Sequence, residues 1–237
     1  MSLFLSRLVL DPRSRKVQRD LADCHRAHRR VMSAFADCEG LPRKELGILF
    51  RIENRSDTVT MLVQSSMHPE WDRLPEGYLA ADWLEFEGSS VAVKALDSAL
   101  ESLVARKTLR FRLRANPTRR IDTKSGPDGI RRHGKRVPLR QVEARQAWMA
   151  RRAGPAGFEL LEVTSHVPQV VESSMERVSG WRPSRDESEG AQRITLEGVT
   201  FDGRLRVRDA ERLRAAVAEG IGPGKAYGFG LLSLAPD

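Results

Sequence analysis

The sequence predicts an α+β fold built on antiparallel sheets, with the order β-α-β-β-α-β laid out twice. Three observations carry this prediction. A strand-like stretch opens each half, at 3–10 and again at 108–115. Helical spacing of apolar residues follows each of them, and further strand-like segments follow that. With 237 residues and 40% hydrophobic content the chain is long enough for two small domains.

In the first half, Leu3, Leu5 and the pair around Leu8 and Leu10 alternate as a strand does, and Asp11-Pro12 ends it. Ser14 is a candidate helix N-cap. Val17, Leu21, Cys24, His28, Val31, Met32 and Phe35 then recur at the helical period, predicting one helix that runs up to a break at Glu39–Pro42. Strands over 47–53 and 58–65, joined at Asn54–Asp57, read as a hairpin. The stretch 71–83 reads as a loosely defined helix and loop, and 89–106 as a linker or short helix.

In the second half, Leu109, Phe111 and Leu113 alternate with Arg110, Arg112 and Arg114, which puts an apolar and a basic face on one strand. Asn116-Pro117 stops it. A helix is expected over 137–152, then strands over 158–164, 193–199 and 204–207. The segment 166–193 is long enough for a hairpin or a loop. Ala210, Leu213, Ala216 and Val217 mark a helix over 209–219, and 227–234 reads as the last strand. No sequence repeat relates the halves; only the pattern is duplicated. It is the tandem ferredoxin-like (RRM-like) plan, with domains expected at 1–95 and 106–237 and a linker at 96–105.

Charge is more informative than composition. The net charge is +8, from 40 basic and 32 acidic residues. Between Arg106 and Arg152 there are sixteen Lys or Arg against three Asp or Glu, a local +13, so the rest of the chain sums to −5. A concentrated patch of this sign suits a phosphate backbone. An anionic membrane fits less well, because these arginines fall on strand-like and loop segments rather than on one amphipathic helix. No apolar run approaches the ~20 residues of a membrane span, and no secretory segment is expected, since charge appears by Arg7 and recurs from Asp11. Two cysteines, Cys24 and Cys38, do not make a disulfide framework, so a reducing cytoplasm is expected.

The C-terminal segment from Gly220 to Asp237 holds five glycines and Lys225 within eleven positions, followed by an apolar run. Such glycines imply positive φ or a close approach, and their N–H groups suit an anion, with Lys225 adding charge. The order is helix, loop, strand, opposite to mononucleotide loops, and neither a GxGxxG nor a Walker spacing is present. A helix C-cap followed by a tight turn is the plain alternative.

Several motifs together resemble a known family. They are Leu109–Pro117 (LRFRLRANP), Lys135–Leu139 (KRVPL), Ala147-Trp148, Leu196–Gly198 and the block Gly220–Pro236. In this order, along nearly the whole chain, they resemble the CasE family of CRISPR RNA-processing endoribonucleases of type I-E systems. The resemblance implies tandem ferredoxin-like domains that bind the hairpin of each CRISPR repeat. It further implies a cut below the hairpin without metal, leaving a 2′,3′-cyclic phosphate, and retention in the Cascade complex among its other subunits.

The family places its histidine in a Tyr-x-x-His pattern after Arg-Asp-Leu-Ala. Here Arg19–Ala22 precedes Asp23, Cys24, His25, Arg26, Ala27 and His28, so the resemblance assigns the catalytic histidine to His28 and the tyrosine position to His25. Read on its residues alone, His28 lies on the apolar stripe, where a histidine also serves as a hydrogen-bonded core residue. RNA supplies its own nucleophile, the 2′-hydroxyl. The protein must accept that proton, protonate the leaving 5′-oxygen and stabilise the phosphorane charge, and imidazole suits proton transfer near neutrality. Arg26, Arg29 or Lys225 are candidates to neutralise charge.

For binding, Arg110, Arg112, Arg114, Arg119, Arg120, Arg131, Arg132, Lys135 and Arg136 form the patch, joined by Gly222, Gly224 and Lys225 of the loop. An A-form stem is read by shape and phosphates, which favours arginines over aromatic platforms, although some of these arginines are expected to pair with Asp or Glu. Arg177, Arg182 and Arg185 are weaker groove candidates. Cys24, His25, His28 and Cys38 have zinc-type side chains, but adjacent Cys24 and His25 do not converge and no paired spacing exists. No metal and no cofactor is expected. The alternatives are a non-catalytic RNA-binding assembly protein using the same patch, and a binder of duplex DNA.

Overall fold

The computed structural model describes residues 2–38, 43–55, 58–81, 89–122, 134–165, 167–183 and 190–237. Its first half contains β1 (Phe4–Leu10), α1 (Arg15–Leu21), α2 (Cys24–Met32), β2 (Leu49–Arg55), β3 (Thr58–Ser65) and β4 (Val91–Ala95), followed by α3 (Asp97–Glu101). The strands form one antiparallel sheet in the order β2-β3-β1-β4. That is the ferredoxin-like order, but the second helix is reduced to a single 3-10 turn, Trp71–Arg73.

One expectation for this half is overturned and two are met in part. The long helix is two, because Asp23 adopts extended backbone (φ −136, ψ 110) and caps α2 with its own side chain. Ser14 is the N-cap residue of α1, in extended backbone, but its side chain makes no cap bond. The stretch read as a linker or short helix holds the short helix α3, and before it the edge strand β4, paired to β1 from Phe4↔Ala95 to Leu8↔Val91. Leu8, Leu10, Val17, Ala27, Val31, Phe50, Met61 and Tyr78 make the core between this sheet and its helices.

The second half runs β5 (Thr108–Ala115), β6 (Thr118–Asp122), β7 (Gly134–Pro138), α4 (Val142–Ala153), β8 (Phe158–Leu160), β9 (Glu162–Thr164), β10 (Val167–Pro168), β11 (Val170–Glu172), β12 (Glu176–Arg182), β13 (Gln192–Val207), α5 (Ala210–Glu219) and β14 (Leu232–Pro236). The neighbours β8, β13, β5 and β14 repeat the order of the first sheet, and β11 also pairs with β13. Leu109, Phe111 and Leu113 are buried against Trp148, Met149, Phe201 and Leu213, so the alternation read in β5 points as expected.

Here too the sequence expectations need correction. Residues 134–138 form a strand, and β6 and β7 make a separate two-stranded ribbon before α4 begins at Val142. The two strands expected over 193–207 are one strand of 16 residues, β13. Its first part pairs with β12 as a hairpin, and its second part lies in the main sheet. The final strand starts at Leu232, because Gly220, Gly222, Gly224, Gly228 and Gly230 all take positive φ and prolong the loop.

The halves are joined by buried polar contacts. Arg51 on β2 is 3% exposed; it pairs with Glu53 at 2.8 Å and donates to the carbonyls of Arg112 (3.4 Å) and Leu231 (3.2 Å). Gln64 on β3 donates to the carbonyls of Val217 (2.9 Å) and Ala218 (3.2 Å) near the end of α5, where helical carbonyls lack internal donors.

Candidate active site

The site is built around α2. The Asp23 side chain accepts from the backbone N–H of His25 (2.8 Å) and Arg26 (3.1 Å), which fixes the first turn. Its second oxygen accepts from the backbone N–H of Trp181 on β12, at 3.2 Å. Gly180 makes this approach possible, since a Cβ there would lie 2.5 Å from Asp23 Oδ1 and 2.9 Å from Cys24 Sγ. A hairpin of the second half therefore closes over the start of the helix that carries both histidines.

The rings of His25 and His28 lie with centroids 6.3 Å apart. On its other side His28 meets Tyr227 of the glycine-rich loop, again at 6.3 Å and edge-on at 72°. Gly224 and Gly228, with φ of 85° and 83°, bracket the short 3-10 turn Lys225–Tyr227 that presents this ring. The Nδ1 atoms of both histidines are enclosed and have no hydrogen-bond partner among the described residues.

Burial pushes the pKa of His28 down to about 4, helped by His25 and by the guanidinium of Arg43. The ring is therefore neutral at physiological pH and able to accept a proton. Burial also lowers Lys225, with Arg43 next in effect and Lys44 and Arg152 adding to it against Glu219. Burial, then Asp23, raises the Cys24 thiol to about 11, so this cysteine is a buried thiol rather than a nucleophile. Among the described residues no group of three His, Cys, Asp or Glu side chains is placed to hold a metal ion.

Two residues of the site, Tyr227 and Arg43, have no motif that marks them in the sequence. Tyr227 carries a faint signal, its place among the loop glycines, but its apolar neighbours make it look like the start of a strand. Arg43 simply follows Pro42; its guanidinium donates to the carbonyl of Ile48 and lines a cavity together with Lys44 and Lys225.

The basic residues divide into two groups. Arg110 donates to the carbonyl of Pro236 at 3.0 Å. Arg112 is held by Asp202 (2.7 Å) and Glu53 (3.4 Å). Arg114 is held by Glu176 (2.8 Å) and lies over the ring of Phe229. Arg119, Arg120, Lys135 and Arg136 on the β6–β7 ribbon are exposed and have no carboxylate partner among the described residues. Arg120 and Arg136 stand directly opposite each other, a like-charged pair that disfavours the ribbon unless an anion lies over it. Arg131, Arg132 and Arg185 lie outside the described residues. Gly222 and Gly224, both at positive φ, pack against Trp148 and Phe229, and a Cβ at either position would stand a tight 3.0 Å from those rings. Lys225, Arg136, Arg152 and Arg212 line one cavity of about 480 Å³ beside them.

The chain matches the CRISPR associated protein family along residues 3–236. It is 35% identical over 237 residues to the CRISPR-associated endoribonuclease Cse3 of Thermus thermophilus, covering 99% of this chain and 100% of that one. It is 37% identical over 136 residues to the CRISPR system Cascade subunit CasE of Escherichia coli K12, which covers 54% of this chain and 58% of that one. The structure of Thermus thermophilus Cse3 bound to an RNA representing a pre-cleavage complex superimposes with a TM-score of 0.74 at 34% identity, over 100% of both chains. The chain, with its two ferredoxin-like sheets and its histidine-bearing helix, belongs to the CRISPR associated protein family.

Proposed function

We propose that the protein is an endoribonuclease that binds the hairpin of a CRISPR repeat and cuts at its 3′ base without a metal ion. The observation that carries the reading is the half-buried His28 ring, its enclosed Nδ1 without a hydrogen-bond partner among the described residues, placed 6.3 Å from both His25 and Tyr227. In this reading His28 takes the proton of the 2′-hydroxyl, whose oxygen then attacks the adjacent phosphorus. The P–O5′ bond breaks, the 5′-oxygen takes a proton from His25, and a 2′,3′-cyclic phosphate remains. Arg43 and Lys225 neutralise the charge that builds on the phosphorane oxygens. The ribbon residues Arg119, Arg120, Lys135 and Arg136 hold the stem by its phosphates.

Support comes from the named relatives, an endoribonuclease and a Cascade subunit, and from the RNA-bound structure of the former. The protein then stays on its product as a Cascade subunit in the cytoplasm, with residues 1–95 and 106–237 acting as two domains. Among the described residues no helix is long and apolar enough to cross a membrane.

The test is cleavage of a repeat hairpin RNA in EDTA. Wild type cuts and yields a cyclic phosphate end, while His28→Ala binds without cutting. A requirement for Mg²⁺ would overturn the mechanism. Tight binding with no cut by wild type would leave a non-catalytic assembly protein.

A further inference from the structure

The basic segment recognised in the sequence lies in the second half, yet the first half carries a cationic surface of its own. From Arg13 to Arg30 there are seven Lys or Arg against two Asp. Arg30 is bound to Asp20, and Lys16 donates to the carbonyl of Glu76. Arg13, Arg15, Arg19, Arg26 and Arg29 are exposed, and none of their guanidinium groups has a carboxylate partner among the described residues.

Local energetics make this arrangement unfavourable by itself. Arg15 and Lys16 occupy the first turn of α1, where no acidic residue offsets them. Arg15 and Arg19, four apart, repel along one face of the same helix. A surface that is strained by its own charge is relieved by a polyanion.

Its position relates it to the histidines. At about 100° per residue, the order around α2 runs from buried Ala27 and Val31 to His28, then His25, then Arg29 and Arg26. Arg26 and Arg29 therefore continue outward from the imidazole edge, on the side away from the core, and the Arg30–Asp20 ion pair at 2.7 Å ties α1, which carries Arg15 and Arg19, to α2. Tyr227, Lys225 and the glycine loop approach His28 from the other half of the molecule.

Resting on the proposed RNA cleavage, we infer that Arg13, Arg15, Arg19, Arg26 and Arg29 form a second phosphate-binding surface. Its ligand is the single-stranded RNA that continues 3′ of the scissile linkage, beyond the hairpin. The stem is held by the second half, the scissile phosphate lies at the histidines, and the leaving strand crosses the α1–α2 face. This site selects a precursor over a finished product, because only the precursor carries the extension.

The experiment compares two RNAs, each with a 2′-deoxy nucleotide at the cut position to block cleavage. One hairpin ends at the scissile linkage and the other extends roughly eight nucleotides further, enough to span a helical face. Wild type binds the extended RNA on the order of tenfold more tightly. The triple variant Arg13→Gln, Arg15→Gln, Arg19→Gln loses that preference, keeps its affinity for the short hairpin, and shows a salt slope for the extended RNA smaller by about 2. Its thermal midpoint holds or rises, since the changes remove like-charge repulsion, and a fall would contradict the energetic argument. Equal wild-type affinity for both RNAs, or an equal loss for both in the variant, overturns the second site while leaving the nuclease standing. Failure of wild type to hold either RNA overturns the nuclease itself. Vesicles containing phosphatidylserine do not displace the extended RNA; displacement by them would reduce the surface to a general anion binder and refute the assignment.

Discussion

The ring of Tyr227 stands edge-on to the ring of His28, with centroids 6.3 Å apart, although the two residues come from opposite ends of the chain. Tyr227 covers the imidazole whose pKa burial holds near 4. Facing His28 are His25 on its own helix, Arg43 before β2, and Tyr227 itself. Replacing Tyr227 with Ala opens the ring to water and relieves the main cause of the shift. The acid limb of the single-turnover rate profile then moves upward toward about 6.5, whereas Tyr227→Phe leaves it in place. An unmoved limb in the Ala variant would exclude this shielding role.

The same shift fixes how stability responds to acid. The folded pKa of His28 lies below its ordinary value, so between about pH 6.5 and 4 the unfolded chain binds the extra proton. Above that window His28 contributes no pH dependence, and inside it stability falls as the pH falls. His28→Ala removes this component, so its urea midpoint declines less than that of wild type between about pH 7.5 and 4.5. Parallel declines would show that the ring titrates normally in the fold.

Asp23 caps α2 and receives Trp181 from the hairpin. Asp23→Ala costs about 1–2 kcal/mol, and Asp23→Asn costs less because asparagine caps nearly as well. Gly180→Ala drives a methyl against Asp23 and Cys24 and costs about 1–3 kcal/mol. Both Asp23→Ala and Gly180→Ala slow cleavage more than they weaken hairpin binding, measured by single-turnover rates beside equilibrium binding. The opposite ranking would detach the cap from the chemistry.

Stem binding separates the two groups of arginines. Arg120→Ala with Arg136→Ala lowers affinity for the hairpin and reduces the salt slope by roughly one for each phosphate left without its arginine. Arg112→Ala instead frees Asp202 and Glu53 from their shared cation. It lowers the denaturation midpoint and leaves the salt slope nearly unchanged. A slope change from Arg112→Ala as large as that from the ribbon pair would place Arg112 on the RNA.

Local pattern makes much of this fold readable. In β5 the alternation of Leu109, Phe111 and Leu113 with arginines matches the buried and outward faces. Asp209 precedes α5 and accepts from the N–H of Arg212 at 3.0 Å, as an N-cap should. The break at Asp23 is hidden because the apolar stripe from Val17 to Phe35 runs straight through it. Asp202-Gly203 resembles a turn, but Gly203 lies mid-strand where a Cβ would meet the carbonyl of Gln169 at 2.5 Å. Strand β4 is hard to see in the sequence because none of its residues is fully buried, so it lacks a clear alternation. His25 and His28 are legible through motif spacing. The approach of Tyr227 and Arg43 is not, since it depends on how the two sheets come together.

Because the β12–β13 hairpin closes over α2, separating the halves between α3 and β5 would strand both imidazoles on a fragment lacking their phenol neighbour, with the helix start uncovered. The other fragment would keep the cationic ribbon and the ring of Tyr227. The meeting of imidazole and phenol is thus a property of the tandem arrangement alone, held by neither half when it is parted from the other.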